Sequence, residues 1–398
     1  MEPREVLARL AESGTPPDPL SALRLSVGLD DTIARFRDEI LPFIADGGAE
    51  LQFAFAPYGR GKTHLLRTLQ EVARQQGFAT AYVDCRSGQA PFASLQETYR
   101  IVAANLLPVG RAGLSRRSGA DAIIEEAMLS VDLDCARGRV ADLMRDGHIA
   151  TDYRNLASAY CRVVIKDQHS SALGVDLRSL LRADQTTRVR VSELYRGHPE
   201  LPRPIGRLGR RNAASWLRSM ASLPMSLGYP GLVVLFDETE QTYSLERMPS
   251  HQRRLHLANL RNFVDHMALG NFQGCAIYYA VVEEFLETAK LELEALSQRI
   301  ERVRLGNGAT ARNPRAVWVN LDELTAPSPE SESFYSLLGE RIVGLGVEAG
   351  LAGMSGELLT RRLRERSAHY SKSINVGTVR EFVKLAASMV AQEVSRNV

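Results

Sequence analysis

The sequence predicts an α/β protein: a five-stranded parallel sheet with helices on both faces, interrupted by a large helical insertion and followed by a C-terminal helical lid. Three observations carry this prediction. An apolar run (Leu51, Phe53, Ala54, Phe55) passes through glycines into Gly61-Lys62-Thr63 and then into the amphipathic series Leu65, Leu66, Leu69, Val72. Five consecutive apolar residues, Leu232 to Phe236, end in the carboxylates of Asp237 and Glu238. Strand and helix patterns alternate on either side of a stretch, from about Val109 to Tyr229, that has no convincing strand pattern.

Residues 1–48 read as a helical lead-in. A short helix carrying Val6, Leu7 and Leu10 is broken by Pro16, Pro17 and Pro19. A second helix runs from Asp30 to about Ala45, capped by Asp30 or Asp31, with Ile33, Phe36, Ile40 and Ile44 on its apolar face. Residues 49–108 are the first part of the core: the strand ending at Phe55, the helix opening at Lys62, a strand over Ala79–Asp84, and a helix with Leu95, Tyr99, Ile101, Val102 and Leu106. Parallel neighbours need crossover connections, so this alternation is what a parallel sheet covered on both faces requires.

Residues 109–228 read as an insertion of amphipathic helices over about 122–131, 140–144, 153–165, 177–181 and 216–227. Residues 229–325 return to the core with the strand through Phe236, a helix from about Gln252 to Met267 and a strand over Gly274–Val282. A helix with Leu286, Leu291, Leu293 and Leu296 then leads to Arg299, Arg302 and Arg304, and the strand Ala316–Leu321 follows. Residues 326–398 form the helical lid, with helices near 334–343, 357–364 and 379–394.

A strand that turns through Gly59 and Gly61 into Lys62, Thr63 and a helix builds a nest of backbone N–H groups for the phosphates of a nucleotide. The glycines allow backbone conformations that a Cβ would forbid. Lys62 is a point charge for the β- and γ-phosphates, and Thr63 offers a hydroxyl to Mg²⁺. Only five of the 49 basic residues are lysines, so a lysine at this point is not drawn from a common pool. The GxxxxGK[ST] pattern asks for glycine where the chain has Ala56, the smallest replacement, so a slightly altered loop is expected. The acidic tip of a strand buried on both faces lies at the carboxyl edge of a parallel sheet, where ligands bind. There Asp237 would hold Mg²⁺ through water, and Glu238 would orient the water that attacks the γ-phosphate. After the strand Gly274–Val282 the positions where a polar γ-phosphate sensor would sit are apolar until Glu283, and that assignment stays open.

Composition sets further bounds. With 398 residues, a main domain with a sizeable second part is expected, and 44% hydrophobic and 24% charged residues describe a folded chain. No apolar run reaches the length of a membrane span, and Met1-Glu2-Pro3-Arg4-Glu5 does not open a signal peptide, which points to the cytoplasm and no membrane partner. The four cysteines form no CxxC pair, which fits reduced thiols. Net charge is only +2, but residues 111–220 hold 19 Arg and Lys against 13 Asp and Glu, densest at Arg203, Arg207, Arg210 and Arg211. That run reads either as a phosphate-backbone contact or as a solvated face in an arginine-rich chain.

Five strands, with the phosphate loop after the first and Asp-Glu after the third, and a C-terminal helical cap resemble the AAA+ P-loop NTPases. The phrases Tyr58-Gly59-Arg60-Gly61-Lys62-Thr63-His64, Pro91-Phe92-Ala93-Ser94-Leu95-Gln96-Glu97-Thr98-Tyr99-Arg100 and Gly228-Tyr229-Pro230-Gly231 through Glu238 look more closely like the ATP-binding-domain family of bacteriophage-exclusion (BREX) systems, itself similar to origin-recognition ATPases. The likeness covers roughly residues 20–390. It implies an ATP-hydrolysing, oligomeric, DNA-associated component of bacterial anti-phage defence, with ATP and Mg²⁺ as cofactors and other defence proteins as partners. Tyr58 to His64 would then hold the nucleotide, and Thr63 and Asp237 the metal. Arg299, or Arg302 in its place, would reach a neighbouring subunit's ATP, and Arg380, in Thr378-Val379-Arg380-Glu381-Phe382, would touch the γ-phosphate from the cap. Two other readings remain: an ATP-dependent switch or assembly scaffold with little turnover, and a transposition-type ATPase that forms filaments on DNA.

Overall fold

The computed structural model describes residues 1–56, 59–85, 92–110, 117–187, 189–237, 250–282, 285, 287, 291, 296, 303–304, 310–311, 317–321, 331–372 and 377–396. Its strands, in chain order, are β1 (Ala49–Phe55), β2 (Ala79–Asp84), β3 (Leu106–Leu107), β4 (Leu232–Asp237), β5 (Cys275–Val281), β6 (Val303–Arg304), β7 (Thr310–Ala311) and β8 (Val317–Asn320). The main sheet has the order β3-β2-β4-β5-β1-β8, and β6 pairs with β7 in a separate antiparallel ribbon. β2, β4, β5, β1 and β8 run parallel.

The sixth strand corrects the expectation of an all-parallel, five-stranded sheet: β3 pairs antiparallel with β2 at its edge. The helical periodicity that includes Leu106 fails because α6 (Leu95–Asn105) stops one residue earlier, where the Asn105 amide donates to Ile101 O at 2.9 Å. Leu106 then turns extended beside Ala81, and its carbonyl accepts from Gly119 N at 2.7 Å.

Local chemistry sets the lead-in. α1 (Pro3–Ser13) buries Val6, Leu7 and Leu10. Pro19, expected only as a breaker, instead opens α2 (Pro19–Leu25), since a proline at the first helical position lacks only an amide that has no partner there. Asp18 caps this helix, accepting from Ser21 N at 3.0 Å. The helix expected from Asp30 divides into α3 (Asp30–Arg35), a π-helical turn over Phe36–Ile40 and α4 (Leu41–Ala45). Pro42 has no amide to give the preceding turn, so one extra residue is looped in, with Leu41 N bonded to Phe36 O, and Leu41 joins Phe36, Ile40 and Ile44 in the core. Leu29 takes the cap position, which leaves Asp30 and Asp31 in the first turn, where their charge suits the helix dipole.

One face of the sheet (Ala54, Ala56, Tyr82, Val233, Leu235, Tyr278, Ala280) packs on Leu65, Leu66 and Leu69 of α5 (Lys62–Gln75) and on the helix beginning at Asp30. The other face (Leu51, Phe53, Ala81, Val83, Val234, Phe236, Tyr279) continues without a break into the helices that follow. These are α7 (Ala120–Leu129), α8 (Leu133–Arg145), α9 (Thr151–Ile165), α10 (Ala172–Arg182), α11 (Val191–Gly197) and α12 (Ala213–Ser226). Trp216 of α12 is fully buried between Tyr99 of α6 and Tyr153 of α9, at ring distances of 5.4 and 5.2 Å, and its indole N–H donates to Asp152 at 2.9 Å. α13 (Ser250–Ala268) lies between β4 and β5 in the chain. A third core joins α1 to α14 (Glu332–Glu348), α15 (Gly353–Ser371) and α16 (Thr378–Arg396), with Tyr335, Tyr370 and Phe382 in mutual ring contact. No helix among the described residues is long and apolar enough to cross a membrane.

Trp216→Ala removes the indole shared by α6, α9 and α12 and one of the donors to Asp152; a loss of about 3–5 kcal/mol in unfolding free energy is expected, read from urea denaturation.

Candidate nucleotide site

β1 runs into Ala56, which is fully buried and whose N–H donates to Val281 O at 3.4 Å, tying the end of β1 to the end of β5. Ala56 does not take a positive φ, so the pattern's glycine position accepts its methyl group. Gly59 and Gly61 do, at φ 76° and 94°. A Cβ on Gly61 would meet only Leu321, at 3.9 Å, so glycine is required there by backbone conformation and not by lack of room. Gly61 caps α5, whose first residues are Lys62 and Thr63. The Lys62 side chain is buried and its Nζ donates to Ala56 O at 2.8 Å, arching across the loop. A positive helix end, amides freed by left-handed glycines and a buried ammonium make a cradle for a polyanion.

Asp237 stands at the same edge of the sheet. Phe53 of β1, Tyr279 of β5 and Phe236 of β4 lie in one register row, and Asp237 is one residue past it while the loop begins three residues past. β1 and β4 are separated by β5 alone, about 10 Å at the usual strand spacing. Asp237 alternates with Val233 and Leu235, which pack on the α5 side, so its carboxylate shares that face with Ala54 and Ala56. It is 1% exposed and accepts a short hydrogen bond from the Tyr82 hydroxyl. The guanidinium of Arg67, on α5, lies 3.4 Å over the Tyr82 ring. Burial, with the Asp237 charge adding to it, pushes the Tyr82 phenol far up, so it remains a donor. Asp84 pairs with Asp237 across β2 and β4.

The remaining expected residues fall in different places. His64 hydrogen-bonds Ser26 Oγ at 3.0 Å, and Ser26 in turn bonds Thr68 at 2.9 Å, which fastens α2 to α5. Burial pushes the His64 imidazole down to about 4, with the charge of Arg341 on α14 adding to it. Arg60 stands close enough to Tyr335 of α14 to oppose the upward push that burial gives that phenol. Charge thus acts between the Gly59–His64 segment and groups on α14. Arg380, in the first turn of α16, is exposed and lies against the end of α1: a Cβ on Gly14 would come within 2.5 Å of Arg380 Cγ. Tyr58, Glu238, Arg299, Arg302, Glu283 and most of the helix expected over 286–296 lie outside the described residues.

Three residues of this neighbourhood escape sequence reasoning. Tyr82 and Arg67 sit on a strand and a helix whose patterns are explained by packing alone. Phe92 was legible only as part of a phrase; it takes φ 70°, uncommon for a bulky side chain, and is held by Thr98 Oγ1 on its N–H at 2.9 Å and by the Asn259 amide on its carbonyl at 2.8 Å. Its fully buried ring touches Phe236, next to Asp237, along with Phe263 and Tyr279.

A model of the family described as "BREX system ATP-binding protein BrxC/D" matches residues 2–188 and 205–343. No curated protein and no solved structure gives a significant match.

Tyr82→Phe deletes one donor and keeps the ring under Arg67. Magnesium–nucleotide affinity is expected to fall about tenfold with the thermal midpoint nearly unchanged, as measured by titration calorimetry beside a melting curve. For His64, an unfolded imidazole takes its proton near 6.5 and the folded one only near 4, so stability is full above 6.5 and declines as pH falls toward 4, with a slope of at most about one bound proton. His256, pushed down to about 3 by burial, adds in the same direction. His64→Gln should flatten the pH dependence of denaturation over that window but not abolish it.

Proposed function

Because the chain belongs to the family of BREX system ATP-binding proteins BrxC/D, we propose that it is an AAA+ type ATPase that binds and hydrolyses ATP beside DNA as an oligomeric, cytoplasmic component of anti-phage defence, together with other proteins of that system. The observation that carries this reading is that the loop from Gly59 to Thr63 and the buried carboxylate of Asp237 share one edge and one face of the sheet. The residues fit a magnesium-bound triphosphate: Lys62 and the loop amides take the phosphates, the Thr63 hydroxyl and Asp237 hold the metal, and the metal when bound neutralises charge on the phosphate oxygens. Tyr82 keeps the Asp237 carboxylate oriented. Glu238, the next residue, would position and polarise water, Arg299 would serve a neighbouring subunit's ATP, and Arg380 would act from the lid. Charge interactions of Arg60 and His64 with groups on α14 would couple movement of a C-terminal lid to the loop.

A second reading, a switch that binds ATP and turns over rarely, is favoured by the end of β5, where Ala280, Val281 and Val282 are buried apolar residues in place of a polar sensor. Turnover separates the two. With the ATPase reading, Lys62→Ala loses ATP affinity at least about a hundredfold, and Glu238→Gln binds ATP normally while turnover falls by a similar factor. Specific activity of the wild type should rise with protein concentration, since arginines supplied in trans are worth on the order of 10³–10⁵ in rate. Wild-type turnover equal to that of Glu238→Gln, with and without DNA, establishes the switch instead. Unchanged ATP affinity in Lys62→Ala sinks both.

A further inference from the structure

Between α11 and α12, residues 198–212 have no regular helix or strand, yet the segment is pinned along its length. The Ile205 N–H donates to the Tyr195 hydroxyl, Asn155 Nδ2 donates to Pro204 O at 2.9 Å, and Gly206 N donates to Asp152 O at 3.1 Å. Gly209 N donates to Asn212 Oδ1 at 2.7 Å, and Asn212 Nδ2 donates to Arg207 O at 3.0 Å. The backbone at Gly206 is pressed onto Asp152 and Trp216; a Cβ there would lie 2.3 Å from Asp152 Oδ2. Leu201, Ile205 and Leu208 are buried beneath it.

From this fixed frame Arg203, Arg207, Arg210 and Arg211 are exposed, with Arg196 of α11 beside them in sequence. Residues 194–212 hold five arginines and one carboxylate, Glu200, which faces His198 at 3.4 Å. Several exposed arginines elsewhere pair within their own segments, as Arg9 does with Glu5, Arg190 with Glu193, Arg361 with Glu365 and Arg396 with Glu393. None of these five makes an ion pair among the described residues; Arg203 instead stacks on Tyr195 at 4.5 Å. Arg207 borders a polar cavity of about 160 Å³ with Arg100 and Asp184, but the Asp184 carboxylate is taken by Thr186 at 2.8 Å and Thr187 at 3.4 Å.

Like charges crowded on a rigid loop without counter-charges repel, and an external polyanion would relieve that repulsion. Guanidinium forks suit phosphate oxygens. No large apolar side chain of 198–212 is exposed, so the loop has nothing to bury in a membrane. We propose that this arginine loop is a docking platform for the phosphodiester backbone of a nucleic acid, read without regard to base sequence. The inference rests on the DNA association proposed above and locates it on a segment whose apolar residues belong to the core on the face of the sheet opposite α5.

The test compares the full chain with a variant carrying Arg203→Ala, Arg207→Ala, Arg210→Ala and Arg211→Ala, a second with all four changed to Lys, and Arg361→Ala as a paired-arginine control. Binding of fluorescent duplex DNA and duplex RNA is followed by anisotropy over a salt series. The alanine variant should bind at least about tenfold more weakly and lose about 3 to 4 from the salt slope, near 0.9 per contact, while the lysine variant and Arg361→Ala stay close to wild type and ATP affinity is unchanged in all. The same pattern confined to RNA supports the platform with RNA as its ligand. Wild-type affinity and slope in the alanine variant overturn the platform and leave DNA association standing. A wild type that binds neither duplex overturns both.

Discussion

A carboxylate buried at the end of a strand is costly unless a donor meets it, and the rest of the site is arranged around meeting that requirement at Asp237. The donor is the Tyr82 hydroxyl on the neighbouring strand, and the ring that carries it is covered by Arg67 from α5. β4, β2 and the helix that opens at Lys62 are thereby tied to one another through side chains as well as through the apolar layer of Leu65, Leu66 and Leu69. On the opposite face, the left-handed Phe92 wedges its ring against Phe236, so the last turn of β4 is held from both sides.

α14, α15 and α16 form with α1 a body whose core is distinct from those of the sheet. Its own core is self-sufficient, with Tyr335, Tyr370 and Phe382 at the centre and α1 packed along α16. The charges of Arg60 and Arg341 act between it and the Gly59–His64 segment, and Ser26, after α2, bridges to α5. α7 to α12 are built differently: they share one continuous apolar core with the sheet, and Trp216 fastens α12 to α6, so the arginine loop is carried on a packed support.

Much of this was legible in the chain because the signals are local. The glycines before Lys62 and Thr63 announce a left-handed turn into a helix because few other residues tolerate it, and the run from Leu232 to Phe236, short and bounded by Gly231 and two carboxylates, announces a buried strand. Where local signals compete, the pattern misleads. Leu106 fits a helical stripe yet pairs with Ala81, Pro19 opens a helix, and Pro42 forces a π turn that shifts the apolar face by one residue.

The sequence by itself determined the strand and helix alternation, the glycine turn into α5 and the acidic end of β4, since each depends on the covalent preferences and polarity of adjacent residues. Only the tertiary structure decided that Tyr82 would serve Asp237, 155 positions away, and that Arg60 and His64 would face the lid. It also decided that the arginines near 207 would lack acidic partners among the described residues. Those are matters of which distant surfaces meet, and they depend on packing across the sheet, for which the order of residues along one strand or helix contains no record.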